Sequence, residues 1–291
     1  MVVDAQDRHG ERDRLPTLQL LGCDFSSSPS KKKQIVLAFG RLSGNVLKLE
    51  NTERFSTLVG WANRLHHGSW LGAFDLPFGL PRELVQTLGW PTEWQACLQH
   101  FTTLSRADIR LRFQAFCNAR PPGHKFAHRA TDLPAGSSPS MKWVNPPVAW
   151  MLHAGVPPLV ASGAWLGGVM PVPEVPPSRV ALEAYPGLLA REVLGTRSYK
   201  SDDKARQTPE RWLARKDLVT ALEQGRTRLG LRLKLSPAQA DALVSDTSGD
   251  SLDAVLCLMQ AAWAQQRHME GDGRFGLPAH ADPLEGWIVT A

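Results

Sequence analysis

Short apolar runs closed by turn-forming segments open the chain. Residues 18–24 (LQLLGCD) read as a strand, residues 25–33 (FSSSPSKKK) as a turn with a lysine tip, and residues 34–39 (QIVLAF) as a second strand. Ser43, Gly44 and Asn45 supply another turn, and residues 46–50 alternate as a third strand, so the simplest arrangement is an antiparallel meander. Phe55, Leu58, Val59, Ala62 and Leu65 recur at helical spacing, predicting an amphipathic helix over residues 52–66 that ends at His66 and His67. Residues 70–75 (WLGAFD) form a fourth strand, stopped by Pro77 and Pro81.

Beyond residue 81 the pattern loosens. Helical pieces are expected at 82–88 and 93–116, followed by a basic Pro/Gly/Ser-rich stretch at 118–142. Residues 143–173 carry no Asp, Glu, Lys or Arg. A bilayer span needs about 20 apolar residues in unbroken helix, and Pro146, Pro147, Pro157, Pro158, Pro171 and Pro173 interrupt this stretch. It reads as a buried, loop-rich segment with no membrane role. Residues 179–183 (RVALE) resume the strand pattern. Helices follow near 187–194, 209–224, 237–244 and 251–266, and residues 286–290 form a candidate closing strand. The strongest helix is 251–266, with Leu252, Val255, Leu256, Met259 and Trp263 on one stripe. Three antiparallel strands, a helix, a fourth strand and then further strand–helix units make an α/β order. It matches a ribonuclease H-like layout better than a strictly alternating doubly wound sheet. The domain reading is a polar arm over 1–16, expected to be disordered, and one domain over 17–291 with a helical, Pro-rich insertion at about 82–177.

Composition narrows the class. The chain has 291 residues, 43% hydrophobic and 21% charged, with a net charge of +5, which excludes a disordered, fibrous or disulfide-scaffold protein. Cys23, Cys97, Cys117 and Cys257 form no CxxC pair, and a reducing cytoplasm is the expected compartment. A chain this long needs no metal to hold its core together, so carboxylates at strand ends call for another explanation.

Those carboxylates are Asp24 ending the first strand, Asp75 ending the fourth and Glu183 ending the strand after the insertion. Asp250 and Asp253 open the late helix at i, i+3 spacing. Each has an ordinary reading: Asp24 and Asp75 as turn initiators, Glu183 as a loop-capping acid, Asp250 as an N-cap, and Asp253 as a first-turn acid favoured by the helix dipole. Asp253 follows Leu252 at the edge of the buried stripe, which suits a ligand facing the sheet. Gathered at one rim, such groups repel by about 4 kcal/mol per close pair at an effective dielectric of 20. A cation, or a proton on one member, must offset that repulsion. Hard oxygen ligands suit Mg²⁺ or Mn²⁺. Two such ions ~3.5–4 Å apart clamp the attacking water and leaving oxygen of a phosphodiester without a covalent nucleophile.

Residues 106–129 hold Arg106, Arg110, Arg112, Arg120, Lys125, Arg129, His124 and His128 against one acid, Asp108, with Phe113, Phe116 and Phe126 interleaved. They read equally as a nucleic-acid groove or as a solvated helix face. Lys31, Lys32 and Lys33 read as a solubilising turn or as phosphate contacts. Lys200 stabilises a phosphate near the acids or pairs with Asp202 or Asp203.

Residues 21–25 (LGCDF), 73–81 (AFDLPFGLP), 183–187 (EAYPG), 197–203 (RSYKSDD) and 250–257 (DSLDAVLC) resemble family 429 among domains of unknown function, a family of predicted nucleases with ribonuclease H-like fold. Residues 129–132 (RATD) and the Tyr199–Lys200 pair resemble further recurrent pieces, so the resemblance spans most of the chain beyond the arm. DSLDAVLC also looks like the C-terminal helix motif of RuvC-like Holliday-junction resolvases, where an aspartate pair completes a metal site. The resemblance implies catalytic roles for Asp24, Asp75, Glu183 and Asp253, with Asp250 as supporting ligand.

The expected activity is Mg²⁺- or Mn²⁺-dependent hydrolysis of DNA or RNA by one or two ions. Asp24 would bridge the ions, Asp75, Glu183 and Asp253 would complete their shells, and Arg120, Lys125, Arg129 and Lys200 would touch substrate. A resolvase analogue is a homodimer, although the sequence shows no interface signature. Two rivals stand beside the nuclease: a non-catalytic nucleic-acid-binding module of the same fold, with its acids paired to Arg129 or Lys200, and an actin-like nucleotide-binding ATPase. The ATPase would need a glycine-rich first turn where FSSSPSKKK stands.

Overall fold

A computed structural model describes residues 18–201 and 203–291, and the arm expected at 1–16 lies outside them. The chain runs β1 (Gln19–Asp24), β2 (Ile35–Ser43), β3 (Val46–Phe55), α1 (Leu58–Leu65), β4 (Trp70–Phe74), α2 (Arg82–Thr87), α3 (Trp94–Thr103), α4 (Arg106–Asn118), α5 (Asp132–Ala135), α6 (Val148–Ala161), β5 (Trp165–Leu166), β6 (Arg179–Glu183), α7 (Pro186–Leu194), α8 (Pro209–Glu223), β7 (Arg232–Lys234), α9 (Pro237–Ser245) and α10 (Asp250–Met269). The strands form one seven-stranded mixed sheet in the order β5-β6-β4-β1-β2-β3-β7. The β1–β2–β3 meander is antiparallel, as the turns predict, whereas β4 pairs parallel with β1, and β6 parallel with β4. The insertion spanning α2 to α6 also donates β5 to the sheet edge beside β6.

Two apolar layers cover the sheet. Because side chains alternate along a strand, Leu20, Leu71, Ala73, Val180 and Leu182 face a core built with α7, α8 and α10. Leu21, Cys23, Phe74 and Ala181 face the aromatic core of α1 and the insertion, with Trp61, Trp90, Phe101 and Phe113. Gly22 lies where α10 crosses β1. A Cβ there would come within 2.0 Å of the Ala254 carbonyl oxygen and 2.2 Å of the Leu258 nitrogen. Gly22→Ala must therefore lift a buried helix off the sheet, with an expected loss of about 3 kcal/mol, to be read from urea unfolding.

Local sequence misleads at five places. β3 runs on through Phe55, with Asn51 to Phe55 paired against Phe39 to Ile35, so the helix predicted from residue 52 starts only at Leu58, after the Thr57 N-cap. The helix predicted at 93–116 is two helices, because Ser105 accepts from the Asp108 N–H and caps a new one. The charge-free stretch expected to be loop contains α6, a 14-residue helix that keeps Pro157 and Pro158 near its end. The burial of Ala149, Trp150, Leu152, Val156 and Leu159 offsets the backbone hydrogen bonds those prolines cannot make. β7 gives no recognisable run of its own, since only Leu233 of its three residues is buried. The closing strand at 286–290 is a single parallel bridge between Glu183 and Ile288. Among the described residues, no helix is long and apolar enough to cross a membrane.

Candidate functional site

Strand parity sorts the acidic residues before any side-chain contact is considered. Asp24 shares the face of Leu20 and Gly22, and Asp75 continues the face of Leu71 and Ala73, so both are directed toward α10. The Asp75 N–H extends the ladder by donating to the Cys23 carbonyl at 2.9 Å. Glu183 lies level with Phe74 and Cys23, on the face covered by the insertion. The first turn of α10 supplies Asp250 and Asp253, which are 3% and 0% exposed.

Four carboxylates therefore share one field. Burial pushes Asp24 well above the ordinary aspartate range, and Asp253, Asp250 and Asp75 push it further, against the opposing charge of Lys200. Burial and Asp253 raise Asp75 from 3.8 to about 7, with Lys200 opposing, Glu183 adding to the rise and Lys33 also opposing. Two cations enter the group. Lys33, from the tip of the β1–β2 turn, pairs with Asp250 at 2.7 Å. Lys200 pairs with Asp253, whose other oxygen accepts from the Tyr199 hydroxyl. No donor among the described residues reaches the side chains of Asp24, 7% exposed, or of the half-buried Asp75. Both line a cleft of about 600 Å³.

The folded chain holds the Asp75 proton more tightly than the unfolded chain does. This group consequently removes stability as pH rises from 3.8 toward about 7, and its cost is complete above that. Without divalent ions, Asp75→Asn is expected to match the wild-type Tm near pH 4 and to exceed it near pH 8, as paired thermal melts would show.

Glu183 lines the same cleft, but its oxygens are already engaged. They accept from Arg129 Nη2 at 2.6 Å, Arg129 Nη1 at 2.8 Å and the Phe78 N–H at 3.0 Å. Arg129 also donates to Asp132 Oδ1 from Nε at 3.1 Å and from Nη2 at 2.9 Å, and to the Glu285 carbonyl from Nη1 at 2.9 Å. Burial alone would lower the Arg129 pKa, but the two carboxylates reverse the effect and hold it above the usual arginine value. At 2% exposure, with every guanidinium hydrogen committed, Arg129 has no donor left for the phosphate contact expected of it.

The other predicted basic residues are dispersed. Arg120 pairs with Glu83, donates to the His124 carbonyl and lies 5.0 Å from the Phe116 ring centroid; neither it nor the exposed Lys125 lines the cleft. Arg106 does line it, donating to the Ser27 carbonyl and lying over Trp150 at 5.4 Å. Lys200 reaches the acids directly, pairing with Asp253 and not with Asp203; Asp202 is outside the described residues.

Three supporting residues had no periodic signal. Tyr199 secures Asp253, and its own carbonyl accepts from buried Arg215 at 2.7 Å. Asp246, held down to about 2 despite burial by bonds to Ser251 and Ser248 and by Arg54, accepts from the Ser251 N–H at 3.0 Å. It thus does the capping expected of Asp250, while Gly249 is the N-cap residue itself. For Asp246 the available clue is the run of turn-formers that follows it, Thr247, Ser248 and Gly249, whereas Tyr199 stands in the RSYKSDD segment quoted above.

As the side chains stand, no set of three His, Cys, Asp or Glu among the described residues is arranged to hold a metal ion. The donor set nevertheless suits Mg²⁺ or Mn²⁺, which take one or two carboxylates and complete their octahedron with water and phosphate. Asp24 and Asp75 offer two such hard oxygen donors at the cleft, with no hydrogen-bond partner among the described residues. Compared with protein families, curated proteins and solved structures, the chain matches none, so the family resemblance rests on its quoted segments alone.

Proposed function

We propose that the protein is a divalent-metal-dependent nuclease of ribonuclease H-like fold. The observation that carries this reading is the pair of carboxylates, Asp24 and Asp75, which no donor among the described residues reaches, at the ends of adjacent parallel strands and facing a cleft large enough for a nucleotide unit. The sheet order supports the fold: an antiparallel β1–β2–β3 meander, with β4 and then β6 parallel on the other side of β1.

Asp24 and Asp75 would hold the ion. When bound, Mg²⁺ or Mn²⁺ supplies Lewis-acid stabilisation of the phosphoryl oxygens and a water of lowered pKa. The protein's own groups do the rest. Asp253, fixed by Tyr199 and Lys200, keeps the negative field that draws the cation in. Ser26, Ser27, Ser28 and Arg106 line the rim with donors for phosphate oxygens, while Trp150, Met151 and Pro147 offer an apolar wall to a base or sugar. Glu183 and Arg129 brace the floor. DNA and RNA both present the required phosphodiester.

A binding module without catalysis is the second reading. The observation favouring it is that Lys200 and Arg129 cover Asp253 and Glu183, oxygens that a full two-ion centre would use. Labelled single-stranded, duplex and branched DNA and RNA, incubated with and without Mn²⁺, separate the two. Metal-dependent cleavage is expected; retention of nucleic acid in gel shifts with no cleavage on any substrate would overturn the nuclease in favour of the module.

A further inference from the structure

We propose that the Lys200 ammonium stands in for a second metal ion, so that the centre works with one divalent cation held by Asp24 and Asp75. The inference rests on the metal-dependent reading above and specifies how many ions that reading requires.

Three observations carry it. The first is charge. The group of Asp24, Asp75, Asp250 and Asp253 is served by Lys33 on Asp250 and Lys200 on Asp253, and the two carboxylates that remain match one divalent ion. The second is placement. Lys200 pairs with Asp253 directly and lines the cleft that Asp24 and Asp75 face, so that its charge also acts on those two carboxylates. The third is that the position of Lys200 is built into the chain. Gly249 takes φ +77, and a Cβ there would lie 2.8 Å from Lys200 Cβ, so the lysine stem packs against the start of α10. Tyr199, the preceding residue, is tied to Asp253 by its hydroxyl and to Arg215 by its carbonyl. Asp24 supplies the opening for the single ion: it is 7% exposed, faces the cleft and accepts no hydrogen bond from the described residues. An ammonium has a fixed charge and cannot polarise a bound water as a metal does. Lys200 therefore balances charge while the ion on Asp24 and Asp75 does the Lewis-acid work.

The test is Mn²⁺ stoichiometry on the full-length chain, measured by calorimetry and by loss of the free-Mn²⁺ electron paramagnetic resonance signal. Wild type and Lys200→Arg should each bind one ion. Lys200→Met should bind two, and its Tm in chelator should fall and then recover on Mn²⁺ addition by more than the wild-type gain. Two ions per wild-type chain, or one ion in a folded Lys200→Met, would overturn the inference while leaving the metal reading intact. No Mn²⁺ binding by wild type would overturn both. If Lys200→Met does not fold, the wild-type and Lys200→Arg counts decide the matter.

Discussion

Asp24→Asn should abolish Mn²⁺-dependent cleavage, lowering kcat on the order of 10³-fold or more, and should raise Tm in the absence of divalent ions. The two effects have one origin. Asp24 is buried beside Asp253, Asp250 and Asp75, and no described donor reaches its side chain, so its ionised form costs folding energy. Asparagine keeps the shape and removes the charge, relieving that repulsion and removing an anionic ligand together. A site selected only for stability would show the opposite coupling, in which the substitution lowers Tm. Single-turnover cleavage at saturating Mn²⁺, with melts in chelator on the same preparation, checks both halves. Undiminished cleavage by the variant would remove Asp24 from the chemistry.

Arg129→Met should cost about 3–5 kcal/mol of folding stability, because it strands two buried carboxylates. Glu183 and Asp132 are 2% and 0% exposed, and each takes charge-assisted bonds from this one guanidinium. The loss would spread beyond the pair. Glu285 accepts from the Arg82 N–H at 2.8 Å and the Ala130 N–H at 2.9 Å, and Thr131 accepts from the Ile288 N–H at 3.0 Å, so the segment after α10 is moored to the same loop. Arg129→Lys restores charge without the fork geometry and should recover only part of the loss. Urea unfolding of the single variants and of the Arg129→Met/Glu183→Gln double variant measures the coupling; additive losses would mean that the two residues stabilise separately.

The acidic positions were legible because the signal is local: an apolar run that ends in a carboxylate marks a strand end, and Asp24, Asp75 and Glu183 all sit there. What each one faces was not legible, because it depends on register across the sheet. Parity and pairing turn Asp24 and Asp75 toward α10 and Glu183 toward Arg129, 54 residues earlier in the chain. The basic stretch shows the same divide. Its composition marked it, yet only topology decides that Arg106 reaches the cleft, Arg129 is consumed inside the fold and Arg120 is drawn to Glu83. The two-proline helix α6 escaped notice because burial of its apolar face, a tertiary effect, outweighs the local penalty of its prolines.

The contact between Gly22 and α10 has a bearing on fidelity as well as on packing. Moving β1 by a single residue would bring Leu21 or Cys23 beneath the helix, where only a hydrogen fits. The shift that places Leu21 there would also set Cys23 where Asp24 stands, exchanging a hard oxygen donor at the cleft for a soft sulfur one with a taste for zinc. The absent side chain at position 22 thus acts as a proofreader against either misalignment.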